Sequence, residues 1–199
     1  LIEGSKRIEY LFEGQVWSMN PDGTERKQLT KSTTDIEGYK FSPDGKHIIL
    51  IKSLPYHGSI KENPSDLPKA TGRLVTDMNY RHWDHYVEQI SHAFVADVTE
   101  NGIANVVDIL KGESYECPLA PFGGIEQLDW SIDSKLVAYT CRKKEGVDYA
   151  ISTDADIYIY NVETKRTRNL CKPEGYKEPK IDATKSMKNQ AVNHQQGDM

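Results

Sequence analysis

The chain has no apolar run approaching the roughly 20 residues that a membrane-spanning helix requires. Its first residues, Leu1-Ile2-Glu3-Gly4-Ser5-Lys6-Arg7, lack the basic-then-apolar layout of a secretory signal. A start without an initiator methionine, running at once into a strand pattern, is what a stretch cut from a longer protein would show, with any export signal upstream of it. Cysteine is scarce: Cys117, Cys141 and Cys171 make three, too widely spaced for a zinc ribbon or a redox pair. An odd count cannot complete a disulfide framework, so free buried thiols are expected and the compartment stays open. Apolar residues are only 37% and charged residues 28%. That is lean for one large core and suits many short, half-exposed strands. Length alone permits one domain or two small ones. A net charge of −5 leaves no basic surplus, which argues against a nucleic-acid partner. No Gly-x-Ser-x-Gly elbow occurs, and no nucleophile, base and acid can be matched by spacing. No catalytic residue and no cofactor are expected here.

What is present is a repeat, the first thing to seek because missing it miscalls the fold. Phe41-Ser42-Pro43-Asp44-Gly45-Lys46 leads into His47-Ile48-Ile49-Leu50, and Trp130-Ser131-Ile132-Asp133-Ser134-Lys135 leads into Leu136-Val137-Ala138-Tyr139. Both read aromatic-Ser-x-Asp-x-Lys and then an apolar strand. Pro43 presets φ for a turn and Gly45 tolerates positive φ. The second copy has Ile132 and Ser134 in those places and is expected to make a looser version of the turn. A second shared pattern is a period-two strand, a turn and a charged strand. It occurs at Gln15–Asn20 ending in Gln28-Leu29-Thr30, at His92–Val98 ending in Val107–Leu110, and at Asp156–Val162 ending in Arg168-Asn169-Leu170. An Asp or Asn near each strand end accepts local backbone hydrogen bonds and starts the turn. Strand-turn-strand, loop, strand-turn-strand is how four-stranded propeller blades are built; an all-β sandwich is the rival. The expected fold is all-β: a partial β-propeller of two to three four-stranded antiparallel blades in an incomplete ring.

The divisions expected are first-blade strands over 1–52, a rim excursion between blades over 53–91, a second blade over 92–141, the start of a third over 142–171 and a polar loop or tail over 172–199. The excursion is rich in turn formers, and insertions of this kind fall on one rim, where binding usually happens. An incomplete ring leaves strand edges bare, and bare edges template pairing with another chain. Self-association through open edges is therefore expected, and light scattering that found only monomer at high concentration would overturn it.

Four residues of the excursion, Arg81, His82, Trp83 and Asp84, are the candidate substrate-binding set, because aromatic and charged side chains on a loop suit a peptide's polar ends. The rival reading has Trp83 anchoring the excursion while Arg81 and Asp84 pair. His82, Asp84, His85 and His92 hint at a metal, but they match no named zinc spacing, and packing or a substrate-facing surface is preferred. No metal is expected. Asp154-Ala155-Asp156 lacks the glycine and closing glutamate of a calcium loop, and Arg142-Lys143-Lys144 reads as a solvated hairpin tip.

The Phe41-Ser42-Pro43-Asp44-Gly45-Lys46 hairpin resembles the TolB-like propeller repeat. Asp66-Leu67-Pro68-Lys69, Tyr80-Arg81-His82-Trp83-Asp84, Pro121-Phe122-Gly123-Gly124-Ile125-Glu126-Gln127 and Ala138-Tyr139-Thr140-Cys141-Arg142-Lys143-Lys144 narrow the likeness. In that order, over about residues 14 to 171, they resemble the N-terminal propeller of bacterial, Bacteroides-like dipeptidyl and acylaminoacyl peptidases of the prolyl oligopeptidase family. The resemblance implies a parent serine exopeptidase with an α/β-hydrolase domain bearing Ser, Asp and His. In that family the propeller gates and orients short peptides, and the setting is periplasmic or secreted. None of those catalytic residues maps onto this chain, which is expected to be inactive alone. Two rivals stand beside it: a non-enzymatic TolB-like module for protein partners, and a carbohydrate-active propeller, which would want a metal at His82, His85 or His92.

Overall fold

The computed structural model describes residues 7–56, 60, 61, 69, 74, 75, 81, 82, 84–172 and 175–177. Strands dominate. β1 (Ile8–Phe12), β2 (Gln15–Met19) and β3 (Lys27–Gln28) form a three-stranded sheet. β4 (Ile36–Phe41) and β5 (His47–Pro55) join β10 (Gln89–Thr99) and β11 (Gly102–Asp108) in a four-stranded sheet. Between β5 and β10 lie two small hairpins, β6 (Ile60–Lys61) with β7 (Leu74–Val75) and β8 (Arg81–His82) with β9 (His85–Tyr86). The third sheet takes β12 (Leu128–Trp130), β13 (Leu136–Cys141), β14 (Asp156–Asn161) and β15 (Arg166–Asn169), with helix α1 (Gly146–Ile151) between β13 and β14. All pairings are antiparallel and follow chain order. The fold is all-β, a partial propeller, and the described residues do not close a ring.

The hydrogen-bonded sheets are offset by about half a unit from the divisions expected above. The described part of 1–52 is shared between the first and second sheets, and the 53–91 excursion joins β5 to β10 inside the second sheet rather than between blades. The reason is register: nine residues of β5 pair with β10 from Pro55↔Gln89 to His47↔Asp97, so a long insertion is spliced into one ladder. Loop length costs only logarithmically in closure entropy, and the ladder survives it.

Alternation divides the core in two. Ile49 and Ile51 of β5 and Ala93 and Val95 of β10 join Val137, Tyr139, Tyr158 and Tyr160 between the second and third sheets. Their chain neighbours Ile48, Leu50, Phe94 and Ala96 join Val16 and Ile36 between the first and second. A sheet buried on both faces needs apolar residues at consecutive positions, which is why Ile48-Ile49-Leu50-Ile51 and Ala93-Phe94-Val95-Ala96 are unbroken apolar runs. The sheets approach closely at Gly102: with φ +119°, it leaves no room for a Cβ, which would lie 2.7 Å from the Leu29 carbonyl oxygen.

The two corners are the same structure. In the first, Ser42 Oγ donates to Asp44 Oδ1 at 2.7 Å and accepts from the His47 amide at 2.9 Å, and Asp44 Oδ1 accepts from the Lys46 amide at 3.0 Å. In the second, Ser131 Oγ donates to Asp133 Oδ1 at 2.6 Å and accepts from the Leu136 amide at 2.9 Å, and Asp133 Oδ1 accepts from the Lys135 amide at 3.2 Å. Ser134 takes φ +61° where Gly45 takes +69°. The second corner is thus not the looser turn expected from its missing Pro and Gly. Ser134 is held by its neighbour, because its Oγ accepts from the Asp44 amide at 3.0 Å across the sheet interface.

Candidate functional site

Antiparallel order sends the corners and the β10–β11 and β14–β15 turns to one end of the stacked sheets. The other end collects the two roots of the excursion at Pro55–Tyr56 and Glu88–Gln89, the 109–127 segment, the 142–155 segment and the β1–β2 turn. This second rim is the candidate site.

Of the sequence-chosen residues, Arg81 and His82 lie in the β8–β9 hairpin and Asp84 in its turn. Arg81 pairs with Tyr86 and His82 with His85 across β8–β9. Asp84 is exposed, with Oδ1 3.4 Å from His85 Nε2. Trp83 lies outside the described residues. His92 is buried in β10, and its Nδ1 lies 3.0 and 3.1 Å from the two Asp108 carboxylate oxygens.

The same end of the sheets carries paired charges that spacing did not reveal. Glu37, in the bulge between Ile36 and Gly38 of β4, is exposed and accepts hydrogen bonds from Ser53 Oγ and, at 2.7 Å, from Ser91 Oγ. Two strands of one sheet thereby hold a single rim carboxylate in place. Lys143 pairs with Glu113 and sits 4.6 Å above the Tyr158 ring. Arg142 stacks on Tyr149 at 4.0 Å, while the Tyr149 hydroxyl donates to buried Glu116. Lys144 pairs with Asp154, and Lys172 pairs with Asp154 and Asp156. The Arg142-Lys143-Lys144 run is therefore not a solvated tip. It is folded onto the 111–117 segment, α1, Asp154 and Tyr158, because aromatic rings and carboxylates meet it there. Cationic stems lying on rings are a common way to bury length while keeping charge paired.

This environment biases titration. Burial, with help from the Glu145 carboxylate that accepts its hydroxyl, pushes Tyr115 up to about 12. Burial likewise raises Tyr149, whose partner is Glu116, so both phenols stay protonated donors. Burial works against ionised Asp156, but hydrogen bonds from Lys172 and Asn169 outweigh it and hold the carboxyl below its ordinary value of 3.8. Cys141 is pushed up to about 12 by burial, and burial raises Cys117 as well, so these thiols are unreactive neutral packing groups. They match the expected buried thiols; Cys171 does not, being free but exposed. Among the described residues, the rings of His47, His85 and His92 each face an aspartate rather than a hydroxyl. The described rim is thus a surface of charges paired with one another and with hydroxyls and aromatic rings.

No family model matches the chain. It is 46% identical over 135 residues, 68% of the chain, to dipeptidyl-peptidase 5 of Porphyromonas gingivalis. It is 40% identical over 173 residues, 85% of the chain, to dipeptidyl-peptidase 5 of Porphyromonas endodontalis. A probable dipeptidyl-peptidase 5 of Aspergillus niger is 27% identical over 135 residues, 61% of the chain and 18% of that protein. The chain spans only 20% and 25% of the length of the two Porphyromonas proteins. A solved TolB structure from Acinetobacter baumannii superposes over 84% of the chain and 41% of its own at 14% identity, with a TM-score of 0.29. The resemblance to dipeptidyl peptidases read from the motifs is borne out by the Porphyromonas proteins, and the propeller by the sheets themselves.

Proposed function

We propose that this chain is a propeller portion of a secreted or periplasmic dipeptidyl peptidase of the prolyl oligopeptidase type, gating and orienting short peptides for chemistry carried out by residues outside it. The observation that carries the reading is the 46% identity over 135 residues to a dipeptidyl-peptidase 5. The rim supports it on chemical grounds. A peptide of two residues or so offers an ammonium and a carbonyl-rich backbone, and charge-assisted hydrogen bonds to a carboxylate are the strong way to fix an ammonium. Asp84 and the serine-held Glu37 are exposed carboxylates on this rim. Arg81, one residue beyond the His82↔His85 pair, supplies the opposite charge in the sequence.

Two measurements test this. The reading frame of the full-length protein should contain, downstream, a Gly-x-Ser-x-Gly elbow followed by Asp and His; a stop codon shortly after Met199 would select the non-enzymatic binding module instead. In the full-length enzyme, Arg81→Ala and Asp84→Ala should each raise KM about tenfold for dipeptidyl substrates with a smaller change in kcat, the signature of lost uniform binding. Unchanged KM in both variants would remove the hairpin from the site. The 199-residue chain alone should not turn over dipeptidyl chromogenic substrates, and turnover abolished by a serine-directed inhibitor would overturn the reading.

A further inference from the structure

Between the first and second sheets lies a cavity of about 350 Å³, inside the range of roughly 300 to 1,000 Å³ in which small ligands are held. Its walls come from two sheets that the chain itself joins. One wall is the 28–33 segment that follows β3. The other is the face of the second sheet that meets the first, with Ile36 of β4, Leu50 and Lys52 of β5, and Ile103 and Val106 of β11.

The 28–33 segment is held in place from both sides. The Leu29 carbonyl accepts from the Ile103 amide at 2.9 Å, and the Leu29 amide donates to the Val16 carbonyl at 2.8 Å. Gln15 grips the next residues: its Oε1 accepts from Thr30 Oγ1 and from the Ser32 amide, each at 2.9 Å, and its Nε2 donates to the Ser32 carbonyl at 3.1 Å. Walls tied in this way are formed before a ligand arrives, so little conformational freedom is lost on binding.

The lining is one-sided in charge. Lys31 and Lys52 bring two ammonium groups and Ser32 and Thr33 bring hydroxyls, while none of the described lining residues is acidic. Lys52 is half-buried, with its Nζ 4.1 Å from the centre of the Phe94 ring, and among the described residues it forms no ion pair. Asp108 attracts it, but that carboxylate is already taken by the His92 ring at 3.0 and 3.1 Å and by the Leu110 amide at 2.9 Å. Burial pushes the Lys52 ammonium below its ordinary value of 10.5 in spite of Asp108. A cation held on a ring and partly withdrawn from water gains most from an anion placed beside it.

We infer that this cavity binds a small organic anion, a carboxylate with an aliphatic body. The carboxylate meets Lys52, with Lys31 adding to the field, and the body lies against Ile36, Leu50 and Ile103. A zwitterion such as a free amino acid or a dipeptide suits the cavity less, because none of the described lining residues offers a carboxylate to its ammonium. The inference therefore does not rest on the peptidase reading, and it asks for a ligand of the opposite end charge from the one that Asp84 and Glu37 would hold.

Isothermal titration calorimetry of the full-length protein with hexanoate tests it, beside hexanol and aminohexanoate. Hexanoate should bind saturably. The other two should bind at least about tenfold more weakly, since one lacks the charge and the other adds an unpaired ammonium. Lys52→Met keeps an unbranched stem over Phe94 but removes the charge, and should weaken hexanoate about tenfold; Lys31→Met, at an exposed position, should weaken it about threefold. Circular dichroism checks that both variants fold, and if Lys52→Met does not, Lys31→Met decides. No binding of hexanoate, equal binding of either analogue, or hexanoate affinity unchanged in the folded lysine variants overturns the proposal. The readout is binding and not turnover, so the outcome is independent of whether the protein cleaves peptides.

Discussion

β1, an edge strand of the first sheet, and β5, an interior strand of the second, teach by their difference. β5 is buried on both faces, and Ile48, Ile49, Leu50 and Ile51 are each at most 2% exposed. β1 is covered on one face only: Ile8 is 36% and Phe12 52% exposed. The contrast is visible in composition, since β5 reads as a continuous apolar run while β1 reads Ile-Glu-Tyr-Leu-Phe, with Glu9 turned inward. A sheet in the middle of a stack must satisfy two neighbours, and its strands lose the polar half of the alternation.

The largest expected effect tests that contrast directly. Ile49→Ala should lower unfolding free energy by about 2–5 kcal/mol, as for other fully buried aliphatic truncations, whereas Ile8→Ala should cost below about 1 kcal/mol in the monomer. Urea denaturation of both variants checks it, and equal losses would mean that the first sheet is covered after all.

A smaller effect compares the corners. Ser42→Ala removes a buried hydroxyl and strands the half-buried His47 amide, and should cost about 1–3 kcal/mol. Ser131→Ala, half-exposed, should cost less. Because the Asp44 amide donates to Ser134 Oγ, the two losses should not add, with a coupling of about 0.5 kcal/mol or more in a double-mutant cycle. Strict additivity would show that the corners do not support one another.

The smallest effect is in acid. At Asp44 burial acts against ionisation, but hydrogen bonds from Ser42, the Lys46 amide and Ser134 prevail; at Asp133 the Ser131 hydrogen bond leads. Both carboxyls are held below 3.8 in the folded chain, so the unfolded chain binds more protons as pH falls. Their contribution is complete above that value and is lost as pH drops through the folded values. Denaturation midpoints at about pH 3 and about pH 6 should therefore lie closer together in Asp44→Asn than in the parent chain. An undiminished gap would place the acid sensitivity elsewhere.

Much of the fold was legible because the corner's chemistry is local: Ser, Asp and Lys within five positions close a turn by their own hydrogen bonds, whatever surrounds them. Strand alternation and the apolar runs of β5 and β10 were readable for the same reason, since period two is a property of the backbone. The candidate site was legible only as the composition of one hairpin. The grouping of strands into sheets depended on β5 finding β10 across the whole excursion. The pairing of Lys143 with Glu113, the bond that holds Ser134 at positive φ, and the serine-clasped Glu37 depend likewise on residues far apart in sequence. Turns and alternation are set by neighbours along the chain, whereas partner choice among charges and the stacking of faces is set by which strands the fold brings together.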